Sequence, residues 1–138
     1  MRVKAFLFAL CCILLLGACG TPKTGGTVYN IMDYGAKGDG VTDDAAAIQT
    51  AIDQCSKSGG GTVLVPAGRI FMCSPFHLAS FVELHLEPNS CLLANPDEAA
   101  YSLSAFRDNR GEGMMWIYGQ DLKEVSITGT GTIDGNGV

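Results

Sequence analysis

The chain has 138 residues, 47% of them apolar and 17% charged, with nine Lys/Arg against fourteen Asp/Glu. That length allows one domain at most. The net charge of −5 comes with no Lys/Arg cluster or basic stripe, which argues against a nucleic-acid partner, and an acidic body repels a polyanionic substrate unless a cleft is locally basic.

The N-terminus begins with a short basic head, Arg2 and Lys4, followed by an uninterrupted apolar run over residues 5–16. About a dozen apolar residues fall short of the roughly 20 that span a bilayer, but suit the core of a signal peptide. The run ends in Leu16-Gly17-Ala18-Cys19, whose small residues fit a peptidase pocket. This ending resembles the lipobox of bacterial lipoproteins, which implies a lipid on the Cys19 sulfur and cleavage before it. An ordinary secretory signal with a coincidental cysteine is the alternative. Residues 1–18 are therefore read as a lipoprotein signal peptide. Its loss removes Arg2 and Lys4 and leaves seven basic residues against fourteen acidic ones, a formal charge of −7.

Residues 19–27 are rich in Gly and Thr, lack apolar periodicity, and read as a tether. Residues 28–31 are predicted as a first short strand, followed by a loop in which Gly35, Gly38 and Gly40 permit positive φ. A helix is expected from Thr42, capped by the threonine hydroxyl, with Asp43 and Asp44 in its first turn complementing the dipole. Ala45, Ile48, Ile52 and Cys55 make one apolar stripe, and Gly59-Gly60-Gly61 stops the helix. Residues 62–65 then form a strand that ends at Pro66-Ala67-Gly68.

Beyond Arg69 short strands are predicted at 70–72, 82–86, 91–94, 116–118, 125–127 and 132–133, punctuated by Asn, Asp, Gly and Pro. The segments at Val82 and Val125 are similar and lie 43 residues apart, read as two circuits of a solenoid with about twenty-odd residues each. Residues 95–115 break the rhythm and read as a protruding loop. A sheet sandwich uses the same short strands, but Gly129, Gly131, Gly135 and Gly137 fit tight corners between stacked rungs better.

The acidic pair Asp43–Asp44 is the obvious candidate for carboxylate chemistry, and a helix N-terminus is the structural reason for it to exist. Asp134 reads as a turn cap. The glycine loop lacks the ending of a phosphate-binding loop, and Asp39, Asp43 and Asp44 lack the spacing of a calcium loop. His77 and His85 lie in strand-like stretches with no partners arranged in sequence, and Trp116 reads as packing more than as a sugar platform. With Cys11 and Cys12 lost in the signal and Cys19 read as lipidated, Cys55, Cys73 and Cys91 remain, an odd number, so at least one is outside any internal disulfide. They carry no zinc spacing and read as small buried apolar residues. No catalytic residue, metal or cofactor is assigned.

The run DYGAKGDGVTDD (33–44), a helix, then GGGTV (59–63) and VPAG (65–68), resembles the N-terminal segment of pectin-active right-handed parallel β-helix proteins. The later run VSITGTGTIDGNG (125–137), preceded by WIYG (116–119), resembles the early rungs of glycoside hydrolase family 28, the polygalacturonases. The resemblance covers nearly all of residues 30–138. It implies an all-β fold, a parallel β-helix with an N-terminal capping helix, of which 28–138 supply the cap and first rungs. It also implies inverting hydrolysis of galacturonan or rhamnogalacturonan by one carboxylic acid and one carboxylate. The family carries these in an Asn-Thr-Asp, a later Asp-Asp and a Gly-His-Gly motif, with Arg-Ile-Lys beyond; none of these occurs in this sequence, whose Asp43–Asp44 pair matches the N-terminal run instead. The expectation is therefore an N-terminal fragment, inactive alone. It belongs to a lipid-anchored protein of the bacterial cell envelope whose partners are an acidic plant-type polysaccharide and the membrane. The alternatives are a glycan-binding surface lipoprotein without catalysis and a pectate-lyase-type enzyme.

Overall fold

The computed structural model describes residues 26–102 and 114–137. In chain order the elements are β1 (Val28–Asn30), a 3₁₀ turn (Ile31–Tyr34), β2 (Asp39–Asp43), α1 (Ala45–Lys57), β3 (Gly61–Val65), β4 (Ile70–Cys73) and β5 (Phe76–His77). There follow β6 (Val82–Leu86), β7 (Cys91–Ala94), a second 3₁₀ turn (Glu98–Ala100), β8 (Ile117–Tyr118), β9 (Ser126–Gly129) and β10 (Thr132–Asp134). Every strand pairing is parallel. The strands form three sheets: β1-β3-β6-β9, β2-β4-β7-β10 and β5-β8. The chain visits these sheets in turn, which makes a right-handed parallel β-helix and excludes the sandwich.

One circuit is set by the register. Thr62 lies opposite Glu83 and Ile70 opposite Cys91, so a plain circuit takes 21 residues. Glu83, however, lies directly opposite Ser126. The 43-residue interval between Val82 and Val125 is thus one circuit carrying a long insertion, not two circuits as the sequence suggested. The insertion starts at Asn95, in line with the predicted protruding loop, and its residues 103–113 lie outside those described.

The core follows the period-two alternation of strand side chains. Val63 and Val65, Phe71 and Cys73, Val82, Leu84 and Leu86, and Leu92 and Ala94 point inward and are buried. Helix α1 lies in the chain between β2 and β3, the place that a third-sheet strand holds in later circuits. It closes the barrel with Ala47, Ile48, Ala51, Ile52 and Cys55, packed on the first 3₁₀ turn, β3, β1 and β5. Ala45 is only half-buried, so the stripe is shifted from the predicted one toward Ala47 and Ala51.

The helix start also differs from expectation. Thr42 belongs to β2, and its hydroxyl donates to Asp39 Oδ2 at 2.8 Å instead of capping α1. Asp39 Oδ1 accepts the backbone N–H groups of Val41 and Thr42 at 2.9 and 2.7 Å. This local side-chain-to-backbone turn competes with helix for residues 39–42. The helix begins at Ala45, with no acidic residue in its first turn. Asp43 Oδ1 accepts Ala45 N–H at 3.1 Å, while Asp44 turns back to the glycine loop. The C-terminal stop is as expected, with Gly60 N–H donating to Cys55 C=O at 2.9 Å.

Candidate functional site

The outer face of the third sheet gathers the chain's most chemically varied groups. Alternation points Phe76 inward, 2% exposed, and leaves His77 outside; one rung along, Ile117 and Tyr118 stand opposite them in register, both half-buried. Trp116 precedes that rung, its indole Nε1 donating to Cys73 C=O at 2.9 Å, in keeping with a packing role. The rings of His77 and Tyr118 stand 5.9 Å apart at a 44° tilt, a geometry within the range of favourable ring pairs.

On the other edge of β5, which pairs with no strand among the described residues, the side chain of Gln49 takes a strand's place. Its Oε1 accepts His77 N–H at 2.9 Å and its Nε2 donates to His77 C=O at 3.2 Å. The amide thus pairs with both main-chain groups of an edge residue, which would otherwise offer a template for another strand. Gln49 Nε2 also donates to Asp53 Oδ1 at 2.9 Å and lies 3.1 Å from His77 Nε2, itself 3.7 Å from Asp53. Gln49 and Asp53, then His77, then Tyr118 form a polar and aromatic row running rung to rung along the helix axis. Adjacent strands lie about 4.8 Å apart. A linear polymer can lie along such a row. A cleft of about 670 Å³ opens where β5 and β8 turn away, lined by Ser56, His77, Leu78 and Tyr118 among others.

A second cluster decorates the first sheet. Glu83 accepts from Thr62 Oγ1 at 2.9 Å and Thr128 Oγ1 at 2.6 Å, and His85 Nδ1 lies 2.7 Å from Thr128 Oγ1. The Thr128 hydroxyl, then that of Thr62, hold the Glu83 carboxyl below the usual range. This ladder ties three rungs together.

The other carboxylates singled out in the sequence are engaged in structure. Asp43 accepts Ser74 N–H at 3.0 Å and the Ser74 hydroxyl, and Asn95 Nδ2 donates to Ser74 Oγ at 3.0 Å, so the turn between second and third sheets is stitched rung to rung. Burial raises the Asp43 pKa, but the Ser74 hydroxyl and N–H outweigh it and the net shift is downward. Asp134 Oδ1 accepts Asn136 N–H at 2.9 Å, the turn cap expected of it. Cys55, Cys73 and Cys91 are free thiols; burial pushes Cys73 up to about 12 and raises the other two, which leaves none activated as a nucleophile. Among the described residues no group of three or more His, Cys, Asp or Glu is placed to hold a metal. Cys19 lies outside the described residues.

An acid-sensitivity prediction follows. Hydrogen bonds from the N–H groups of Thr42 and Val41 and the Thr42 hydroxyl lower Asp39 to about 2, and Asp43 and Glu83 are lowered too. A depressed folded-state pKa stabilises above the unfolded value and is lost as pH falls through the folded one. The urea midpoint is expected to be flat near neutrality and to fall between about pH 4 and about pH 2. A midpoint that rises over this interval contradicts these contacts.

Sequence reasoning placed His77 in a strand-like stretch and Trp116 in packing, and the structure agrees. It missed Gln49 and Tyr118. Gln49 and Asp53 are spaced i, i+4 on the polar side of the helix, a visible pairing signal, but their meeting with residues 77 and 118 is non-local.

Known proteins resemble this chain at two scales. Alginate lyase 7 of Azotobacter vinelandii is 65% identical over 40 residues, 29% of this chain and 5% of the relative, and mannuronan C5-epimerases of that organism match similarly. A probable polygalacturonase of Vitis vinifera is 34% identical over 120 residues, 78% of this chain and 24% of the relative. Among solved structures, the exopolygalacturonase of Thermotoga maritima is 35% identical with a TM-score of 0.67, covering 80% of this chain and 25% of that one. The family 28 exopolygalacturonase of Yersinia enterocolitica is 30% identical with a TM-score of 0.70, covering 81% and 21%. The chain therefore spans a quarter or less of the length of each of these relatives. The family model described as "Rhamnogalacturonase A/epimerase, pectate lyase-like" matches residues 28–121, the cap and the first rungs, and the chain belongs to that family of parallel β-helix proteins.

Proposed function

We propose that this chain is the N-terminal part of a polysaccharide hydrolase acting on α-linked galacturonan or rhamnogalacturonan. What supports this reading above all is the extent of its likeness to polygalacturonases, which runs through cap and rungs alike over about four fifths of the chain. The alginate lyase and epimerase matches are tighter in sequence but confined to 40 residues. In this reading the acid and base carboxylates of an inverting mechanism come from later rungs, and the residues described here cap the fold and begin its outer row. Asp43, Asp44 and Asp134 are spoken for by main-chain donors and take no part in bond cleavage.

The short match to the epimerases and lyases favours a second reading, polyuronate modification without hydrolysis. The two separate on product chemistry. The protein expressed in full from its gene is incubated with polygalacturonate and with mannuronan. Reducing ends released from polygalacturonate without unsaturated ends support hydrolysis. Unsaturated ends indicate elimination, and mannuronan altered in configuration without cleavage indicates epimerisation. Binding with no product indicates a glycan-binding β-helix.

The envelope anchor is likewise a proposal, resting on the order of basic head, apolar core, small residues and Cys19. Cys19→Ala is expected to abolish metabolic labelling by a fatty acid. Labelling that persists in this variant rules out lipidation at Cys19.

A further inference from the structure

Where the chain enters the first sheet, each described circuit turns the same corner. By register Gly60, Phe81 and Glu124 occupy equivalent places in successive rungs, and all three have positive φ, at 100°, 66° and 51°. The stack is tied by Gly61 N–H donating to Phe81 C=O at 3.1 Å and Phe81 N–H donating to Lys123 C=O at 2.9 Å. A left-handed backbone suits glycine and strains a bulky residue. Asn89, Asp121 and Asn136 also have positive φ and are of types that tolerate it, whereas Phe81 is aromatic. Phe81 is also 45% exposed, so full burial does not offset the strain. An aromatic side chain held on a strained, exposed corner points to a role outside packing.

The corner is also concave. A pocket of about 330 Å³ is lined by Phe81, Glu124, Ser58 and the glycine run 59–61, and it shares no lining residue with the cleft beside His77. Its polar groups mostly accept. The N–H groups of Gly59, Gly60 and Gly61 are spent on the carbonyls of Ser56, Cys55 and Phe81 at 3.1, 2.9 and 3.1 Å. Glu124 brings a carboxylate, and Ser58 adds a hydroxyl that both donates and accepts.

A ligand that fits has hydrogen-bond donors and an apolar face for the ring. An ammonium ion and a sugar both meet that description. Lys57 and Lys123 adjoin Ser58 and Glu124 in the chain, and their positive charge opposes an ammonium while leaving uncharged hydroxyl donors unaffected. We propose that this corner pocket binds a pyranose ring, its C–H face against Phe81 and its hydroxyls on Glu124 and Ser58. Those features are common to neutral and uronic sugars. The choice of galactose-type probes rests on the polysaccharide reading above, whereas ring binding at Phe81 does not.

The test places 4-fluorophenylalanine at position 81 alone in the full-length protein and follows its fluorine resonance. Galactotriose and trigalacturonate are titrated separately, which distinguishes a neutral from a uronic ligand. A saturable shift with at least one of them is expected, with a dissociation constant of about 1 mM, and Glu124→Ala weakens it about tenfold. Phe81→Gly, at a φ that suits glycine, is expected to lower the thermal midpoint by less than about 5 °C. A larger fall shows that the ring holds the fold, and overturns the proposal. No shift with either sugar, or a shift with tetramethylammonium chloride in their place, overturns it too. Hydrolysis of polygalacturonate is scored separately, so its absence with the fluorine shift intact counts against the hydrolase reading alone.

Discussion

Replacing Asp44 by alanine is expected to destabilise the protein by about 3 kcal/mol. Asp44 is 2% exposed, and its two carboxylate oxygens accept Lys37 N–H at 2.7 Å and Gly38 N–H at 3.0 Å. Its own N–H donates to Met72 C=O at 2.8 Å, and its C=O accepts the first helical bond, from Ile48 N–H at 3.0 Å. One residue thus joins the glycine loop, β4 and the start of α1. Removing the carboxylate strands two main-chain donors in a site with little access to water, and charge-assisted bonds of this kind are the stronger sort. Asp44→Asn keeps one acceptor oxygen and is expected to recover about half of the loss. Urea denaturation checks both, with the midpoint shifting at constant slope. The same variants separate structure from chemistry: activity per folded molecule in the full-length protein stays unchanged if Asp44 only holds the loop.

Gly60→Ala is expected to cost a similar amount, about 3 kcal/mol. Gly60 sits at φ +100, where an L side chain is strained, and an added Cβ would lie 2.5 Å from Phe81 C=O oxygen and 2.7 Å from Phe81 Cβ. The backbone oxygen cannot swing away, because it accepts Gly61 N–H at 3.1 Å and so links the start of β3 to the next rung. The neighbouring position provides the control. Gly59 has φ +95 but open space around its Cβ direction, so Gly59→Ala carries the backbone term alone, about 1 kcal/mol. Thermal melts of the two variants should therefore differ clearly, and equal shifts would mean that the close approach to Phe81 does not matter.

These two positions also show what could be read from the sequence and what could not. The buried strand at 82–86 was legible because Val82, Leu84 and Leu86 alternate with Glu83 and His85, and the helix because Ile48, Ile52 and Cys55 recur at its period. The glycine stop was legible for the same local reason. Strand β2 was not: Asp39-Gly40-Val41-Thr42-Asp43 has little strand propensity, and only its pairing with Ile70 and Met72 makes it one. β5 is two residues long and gives no period at all. The circuit of about twenty-odd residues was legible, but the insertion after β7 doubles one interval, so 43 residues that make one circuit read as two.

The candidate site was the least legible part. Gln49, His77 and Tyr118 come from three separate circuits, and nothing in their local sequence announces that they meet. By contrast, Asp43 and Asp44 draw the eye as adjacent carboxylates and prove to be bonded to Ser74, Ala45, Lys37 and Gly38. Adjacent acidic residues in sequence are a poor guide to chemistry when main-chain donors already occupy them.

On the last described rung, Ile127 and Ile133 are 46% and 42% exposed, and among the described residues β9 and β10 each pair on one edge. That these rungs begin a hydrolase is tested most directly by reading the gene in frame past the codon for Val138. The expected result is continuous coding through Asn-Thr-Asp, Asp-Asp, Gly-His-Gly and Arg-Ile-Lys motifs. A stop codon immediately after Val138, or continuation without those motifs, contradicts it.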